Sequence, residues 1–317
     1  SCFNNMKQLA LGILNFHDAN GRFPSGGGTY ATGQTQGVSW IVRILPFIEY
    51  ADLAGKLVNI QTNSAPGNAN NAVIKNIRMP VIRCPSSPLP FDATWWWGIS
   101  AGNFVQASSY VGIAGATNSN QTTTGGLIPG FAETRINGGN GYGTCWYSAG
   151  GLLFANGERP KAGPVSSLKV ALDGSSKTLL VGEQSDYMYR SSDNAQRIWT
   201  SSHLAGWGSG CPGEGTPPLY LYSSGSVVSG NGTMANCTTI RWNINQKSGF
   251  SGGGNGVFES GGNPYMMDNA PLTSAHPGGV IVSLADGAVR LLPDTTTLQV
   301  LAQLATRDDG TTMAGIE

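Results

Sequence analysis

Ala275-His276-Pro277-Gly278-Gly279-Val280-Ile281-Val282-Ser283-Leu284-Ala285-Asp286-Gly287 is the stretch whose reading decides the fold. Val280 to Ala285 is a run of strand-forming residues, and Asp286-Gly287 spells a two-residue type I′ turn. Ala288 to Leu292 returns as the partner strand. Asp and Gly tolerate the positive φ angles such a turn demands, so the turn itself fixes the register of the hairpin. His276 and Asp286 stand at its two ends, separated by roughly 30 Å if the strand is unbroken. They are therefore read as structural, His276 fixing the approach by hydrogen bonds and Asp286 with Gly287 making the turn. A ligand or assembly contact is the alternative for His276.

Working outward, Thr178 to Glu183 reads as a buried strand and Phe104 to Ile113 as a second extended run. At the other end of the chain, Met6, Leu9, Ala10, Ile13, Leu14 and Phe16 recur at three- and four-residue intervals. They predict a helix over residues 3–20, closed by Gly21. Trp40 to Leu57 gives a second helical pattern broken near Pro46, and Met79 to Cys84 looks extended. Ser166 is a candidate cap for a short helix that Asp173-Gly174 ends, and Asp294 for a last helix through Leu298, Leu301 and Leu304. The fold class expected is α+β, a helix laid on an antiparallel sheet with long Gly- and Asn-rich loops. Residues 1–184 and 272–317 form its core, and 185–271 are read as a variable, β-rich insertion.

Composition narrows the function. Only 11% of residues are charged, the formal net charge is zero, and glycine reaches 46 of 317 residues. Such balance gives no electrostatic footprint for nucleic acid. A weakly charged surface of Ser, Thr, Asn and Gly suits a secreted protein in a packed assembly or one facing polysaccharide. No run of about 18 apolar residues is present, so nothing written in the chain spans a bilayer as a helix.

Further landmarks extend the hairpin signature over nearly the whole chain. They are Cys2-Phe3-Asn4-Asn5-Met6-Lys7-Gln8, Asn15-Phe16-His17-Asp18, Gly21-Arg22-Phe23-Pro24, Ser39-Trp40, Leu45-Pro46-Phe47-Ile48-Glu49, Arg83-Cys84-Pro85-Ser86, Ser109-Tyr110-Val111-Gly112, Asp173-Gly174-Ser175 and Thr178-Leu179-Leu180-Val181-Gly182-Glu183. With the His276 to Asp286-Gly287 box, the chain resembles a secreted, prepilin-like family abundant in planctomycetes, a domain of unknown function formerly labelled a bacterial solute-binding family. The resemblance implies a pilin-like helix on a sheet, an extracellular or cell-surface location, and an apolar helical segment upstream of Ser1. It also implies self-assembly into a homo-oligomer or filament, with membrane contact only through that upstream helix.

Five cysteines in an oxidising compartment make disulfides the expectation. The expected pairs are Cys2–Cys84 and Cys211–Cys237, each contributing roughly 3–4 kcal/mol. Cys145 is left over or takes Cys211 or Cys237, and five buried free thiols are the other reading. The spacings fit no zinc pattern.

Other motifs weigh less. Gly98-Ile99-Ser100-Ala101-Gly102 has nucleophile-elbow spelling, but an extended run follows where a helix is required. Gly208 to Gly213 spells a dinucleotide loop without its βαβ setting. Trp95-Trp96-Trp97 cannot all enter one core from an extended segment, so an interface or a glycan contact is expected there, with a locally folded-over core cluster as the other reading. Asp173, Asp268 and Glu183 leave room for a structural calcium, without an EF-hand loop. The function expected is a non-enzymatic pilin-like subunit of a surface filament or envelope assembly. A polysaccharide- or solute-capturing protein is the first alternative, and a secreted hydrolase the second.

Overall fold

The computed structural model describes residues 1–27, 37–58, 70–93, 102–118, 128, 131–138, 146–155, 165–190, 193–198, 200–203, 206–210, 235–250 and 269–310. The helices are α1 (Cys2–Asn20), α2 (Trp40–Ile44), α3 (Ala51–Lys56), α4 (Asn71–Ile74) and α5 (Leu298–Ala305). The strands are β1 (Tyr110–Ala116), β2 (Ile136–Gly138), β3 (Trp146–Ser148), β4 (Leu179–Glu183), β5 (Met188–Tyr189), β6 (Gln196–Arg197), β7 (Cys237–Ile240), β8 (Gly279–Leu284) and β9 (Val289–Pro293). One five-stranded sheet, ordered β7-β1-β4-β8-β9, organises the molecule. The expected α+β class with an N-terminal helix on a mostly antiparallel sheet is what the chain adopts. One pair departs from it, because β7 runs parallel to β1.

The sheet is covered on both faces. Met6, Leu9, Ile13 and Phe16 of α1 pack with Ile41, Ile44 and Ile48 over Tyr110, Leu180 and Ile281. Val111, Ile113, Leu179, Val280, Val282 and Leu284 face the other way, against Leu301 and Leu304 of α5. Successive residues of a strand point to opposite faces, so Ile281 joins one core while Val280 and Val282 join the other. Double coverage is why β1, β4 and β8 are buried along their whole length.

Local chemistry sets the ends of α1. Ser1 Oγ accepts from Asn4 N at 3.4 Å, and Gly21 closes the helix in the left-handed region with φ of 68°. Gly12 lies where a Cβ would meet Ile48 Cγ2 at 2.5 Å, so glycine lets α1 sit close to the Ile44–Ile48 segment. The interrupted second helix is resolved as α2, a 3₁₀ turn at Leu45–Phe47, and α3.

Several expectations need correction. The β8–β9 connection is not a two-residue type I′ turn. Gly287 N donates to Leu284 O at 2.9 Å and Leu284 N to Ala288 O at 2.9 Å, a three-residue loop in which Gly287 alone takes positive φ, at 81°. Asp286 avoids the left-handed cost, and its Oδ1 accepts from Ala288 N at 2.8 Å. The segment around Met79–Cys84 contains a 3₁₀ turn at Pro80–Ile82 rather than a strand, because Asn5 of α1 takes two of its carbonyls. Ser166 caps nothing; its hydroxyl donates to Leu152 O. Thr297, not Asp294, caps α5 by accepting from Val300 N, while Asp294 accepts from Asn245 Nδ2 at 2.7 Å. Within residues 185–271, read as a variable insertion, β7 joins the central sheet and Trp207 the main core.

Candidate functional site

The first turn of α1 places Cys2 beside the segment that follows the Pro80–Ile82 turn. Asn5 Nδ2 donates to Pro80 O at 3.1 Å and to Arg83 O at 2.7 Å, holding that segment against the helix. Cys2 and Cys84 are consequently 5.0 Å apart at Cα and joined by a disulfide. Arg83 shapes the loop beyond by donating to Ser87 O, Pro90 O and Leu89 O.

Beneath the disulfide lies the end of β4. Glu183 is opposite Tyr110 in the β1–β4 register and has no exposed surface. Ser185 Oγ donates to its Oε1 at 2.6 Å and Ile281 N to its Oε2 at 3.1 Å. Burial pushes the Glu183 carboxyl above the ordinary glutamate range, against the pull of Ser185, Ile281 N–H, Ser274 and His276. His276 arrives from the loop before β8, its backbone N donating to Ser274 Oγ at 2.9 Å. Its Nε2 stands 3.7 Å from Glu183 Oε1 and 3.5 Å from Cys84 Sγ. The Tyr110 hydroxyl donates to Cys2 O at 3.4 Å, and burial pushes the phenol far above its usual range. The result is a cluster of a buried disulfide, a buried carboxylate and a half-buried imidazole at the point where α1 meets the sheet.

The expected Cys2–Cys84 pair thus converges with Glu183 and His276, which the sequence offered separately. The rest of the motif set lies elsewhere. Asp286 N donates to Ser175 O at 3.1 Å and Lys7 Nζ donates to Gly287 O at 2.7 Å, past the far end of β8. Asp173 accepts from Asp309 N and Gly310 N at 2.7 and 3.1 Å, tying down the end of the described chain, and Gly174 has φ of 104°. Asp173 is not in the Glu183 cluster, and Asp268 is outside the described residues, so the expected calcium set is not brought together among the described residues. Trp95, Trp96, Trp97, Ser100, Cys145 and Cys211 also lie outside the described residues. Cys237 stands as a free buried thiol near Gly26 O and Leu153 O, which corrects the expected bridge to Cys211.

His203 is fully buried. Its Nε2 lies 2.8 Å from Pro90 O and its Nδ1 2.7 Å from Thr200 Oγ1, so both ring nitrogens are engaged. Asn236, part of a glycosylation-type triplet, is buried with its side-chain amide donating to Gly206 O and Ser209 O, which leaves it no access for a glycan.

A family model described as a protein of unknown function (DUF1559) matches residues 1–299. The chain belongs to the DUF1559 family. No curated protein and no solved structure matches it. Sequence reading did not foresee that the two ends of the DUF1559 chain meet at this cluster. Cys2 and His276 are 274 positions apart, and the signals available were local: a Cys-Pro step, a strand ending in Gly182-Glu183, and a His-Pro-Gly turn before β8.

Proposed function

We propose that this DUF1559 protein is a non-enzymatic, pilin-like subunit of an extracellular filament or envelope assembly. The observation that carries this reading is the anchoring of α1. Its first turn is fixed by the Cys2–Cys84 bond and Asn5, its inner face is buried on the sheet, and Lys7 reaches Gly287 O. A load arriving along the helix from an upstream apolar stem would pass into the five-stranded sheet instead of peeling the helix away. The outer face of α1 leaves Phe3 and Leu11 43% and 44% exposed, which supplies apolar surface for a neighbouring subunit.

Among the described residues no helix is long and apolar enough to cross a membrane. In this reading the membrane or filament-core segment belongs to the upstream stem. Electron microscopy of native surface material tests the proposal, with antibody labelling of this chain. Labelled regular polymers are expected; label confined to dispersed monomers would overturn it. Retention of the monomer on polysaccharide affinity gels, without polymers, would favour the capture reading instead.

A further inference from the structure

We propose that the cluster at the start of α1 becomes a zinc-type metal site when the Cys2–Cys84 bond is reduced. One ligand atom from each of Cys2, Cys84, Glu183 and His276 lies within 4.8 Å of all the others. Two of the separations are close to those a tetrahedral ion imposes. Bonds of about 2.3 Å to sulfur and about 2.05 Å to nitrogen, at the tetrahedral angle, set ligand atoms about 3.5 Å apart. Cys84 Sγ and His276 Nε2 are 3.5 Å apart, and His276 Nε2 and Glu183 Oε1 are 3.7 Å apart. The two sulfurs, which sit on separate elements, must part to about 3.8 Å, and pairs standing as far apart as 4.8 Å must close toward the ion.

The donor set selects the ion. Two thiolates, an imidazole and a carboxylate suit zinc and its tetrahedral surrogates rather than calcium or magnesium. Outer contacts already orient the donors: Ser185 Oγ and Ile281 N hold Glu183, and Ser274 holds the His276 backbone. The His276 side chain is 26% exposed while Glu183 is fully covered, so the imidazole edge is the way in for an ion.

The chemistry balances with a dithiol reductant. It gives two electrons and two protons to the Cys2–Cys84 bond and leaves as its own disulfide, and the metal then displaces the two thiol protons. In reverse, the thiolates exchange with a disulfide oxidant, their two electrons pass to its sulfurs, and the ion is released. The helix is stapled by metal under reducing conditions and by sulfur under oxidising ones. This goes beyond the assembly role and holds whether or not the protein polymerises.

The test uses the whole chain, reduced anaerobically and titrated with Co2+. Expected are intense visible bands and sulfur-to-cobalt charge transfer at one ion per chain, bleached by Zn2+ and absent from the unreduced protein. His276→Ala, at a half-buried position, should weaken binding at least tenfold. Because Cys145, Cys211 and Cys237 are further thiols, alkylation mapping on the wild-type chain accompanies the spectra. Zn2+ should protect Cys2 and Cys84 but not the other three, and protection should fall in His276→Ala. If reduction unfolds the chain, Zn2+ should restore its circular dichroism. A pale octahedral spectrum, protection indifferent to His276→Ala, or no recovery of fold with Zn2+ would overturn the proposal.

Discussion

Gly287 and Asp286 divide the work of one turn, and each can be tested alone. Gly287 has φ of 81°, and a Cβ there would meet Leu14 Cδ1 at 2.8 Å. Gly287→Ala should therefore cost about 1–2 kcal/mol in urea unfolding, most of it left-handed strain, since the Leu14 tip can yield. Titration separates two buried residues. Burial pushes His203 down to about 4 from an ordinary 6.5, so the unfolded chain takes its proton first as pH falls. Between pH 6.5 and 4 the protein should lose roughly 3 kcal/mol on this account, and His203→Gln should flatten that limb of the stability profile. Glu183 acts with the opposite sign. Its raised pKa means that stability is fully present below the ordinary value of 4.5 and falls as pH rises through the folded value. Glu183→Gln, which keeps an oxygen for Ser185, should therefore gain on wild type as pH rises above 4.5 in the same unfolding experiment. The type of the β8–β9 turn was not legible in Asp286-Gly287, because the same dipeptide serves a type I turn with a glycine bulge when Asp286 can cap Ala288 N.

At the scale of elements, α1 was legible because its apolar spacing matches one buried face and Gly21 ends it; β4 and β8 were legible as short apolar runs. Strand β7 was not, since Cys237-Thr238-Thr239-Ile240 is short, polar in half its residues, and buried on both sides. Its parallel partner β1 lies more than 120 positions away, and no local pattern encodes that pairing. The caps failed for a related reason. Ser166 and Asp294 have the right chemistry, but tertiary partners at Leu152 and Asn245 took them first. The candidate site shares this limit: its four side chains come from positions 2, 84, 183 and 276, and only the sheet brings them together. The disulfide is where element and sequence agree. Closing 82 positions of chain should contribute about 4.5 kcal/mol by loop entropy. A Cys2→Ser, Cys84→Ser double variant should lose about that much or less, and hydrogen exchange should quicken first in the opening turns of α1. Uniform acceleration across the sheet would instead mean that the bond supports the whole core rather than the helix start.

For the whole molecule, the layers decide which surface stays open. One face of the sheet is taken by α1 and α2, the other by α5, and β1, β4 and β8 are buried. Near the end of the described chain Arg135 bridges Glu133 and Asp308, fastening that segment to the β2 region. The surface left open on the leading helix includes a row of Phe3, Lys7 and Leu11, one helical turn apart on a single face. Lys7 bends its ammonium to Gly287 O at 2.7 Å, so the charge of that row is drawn toward the β8–β9 turn. Neither Phe3 nor Leu11 contributes much to the core, and Phe3→Ser with Leu11→Ser should move the monomer's unfolding free energy by no more than about 0.5 kcal/mol for each change. If the helix face is a contact between copies, the same pair of changes should abolish polymers in electron micrographs and shift sedimentation to the monomer. Polymers of normal length from a protein of normal stability would place the subunit contact elsewhere, on the loops or the sheet edge at β9, and would remove α1 from the assembly interface.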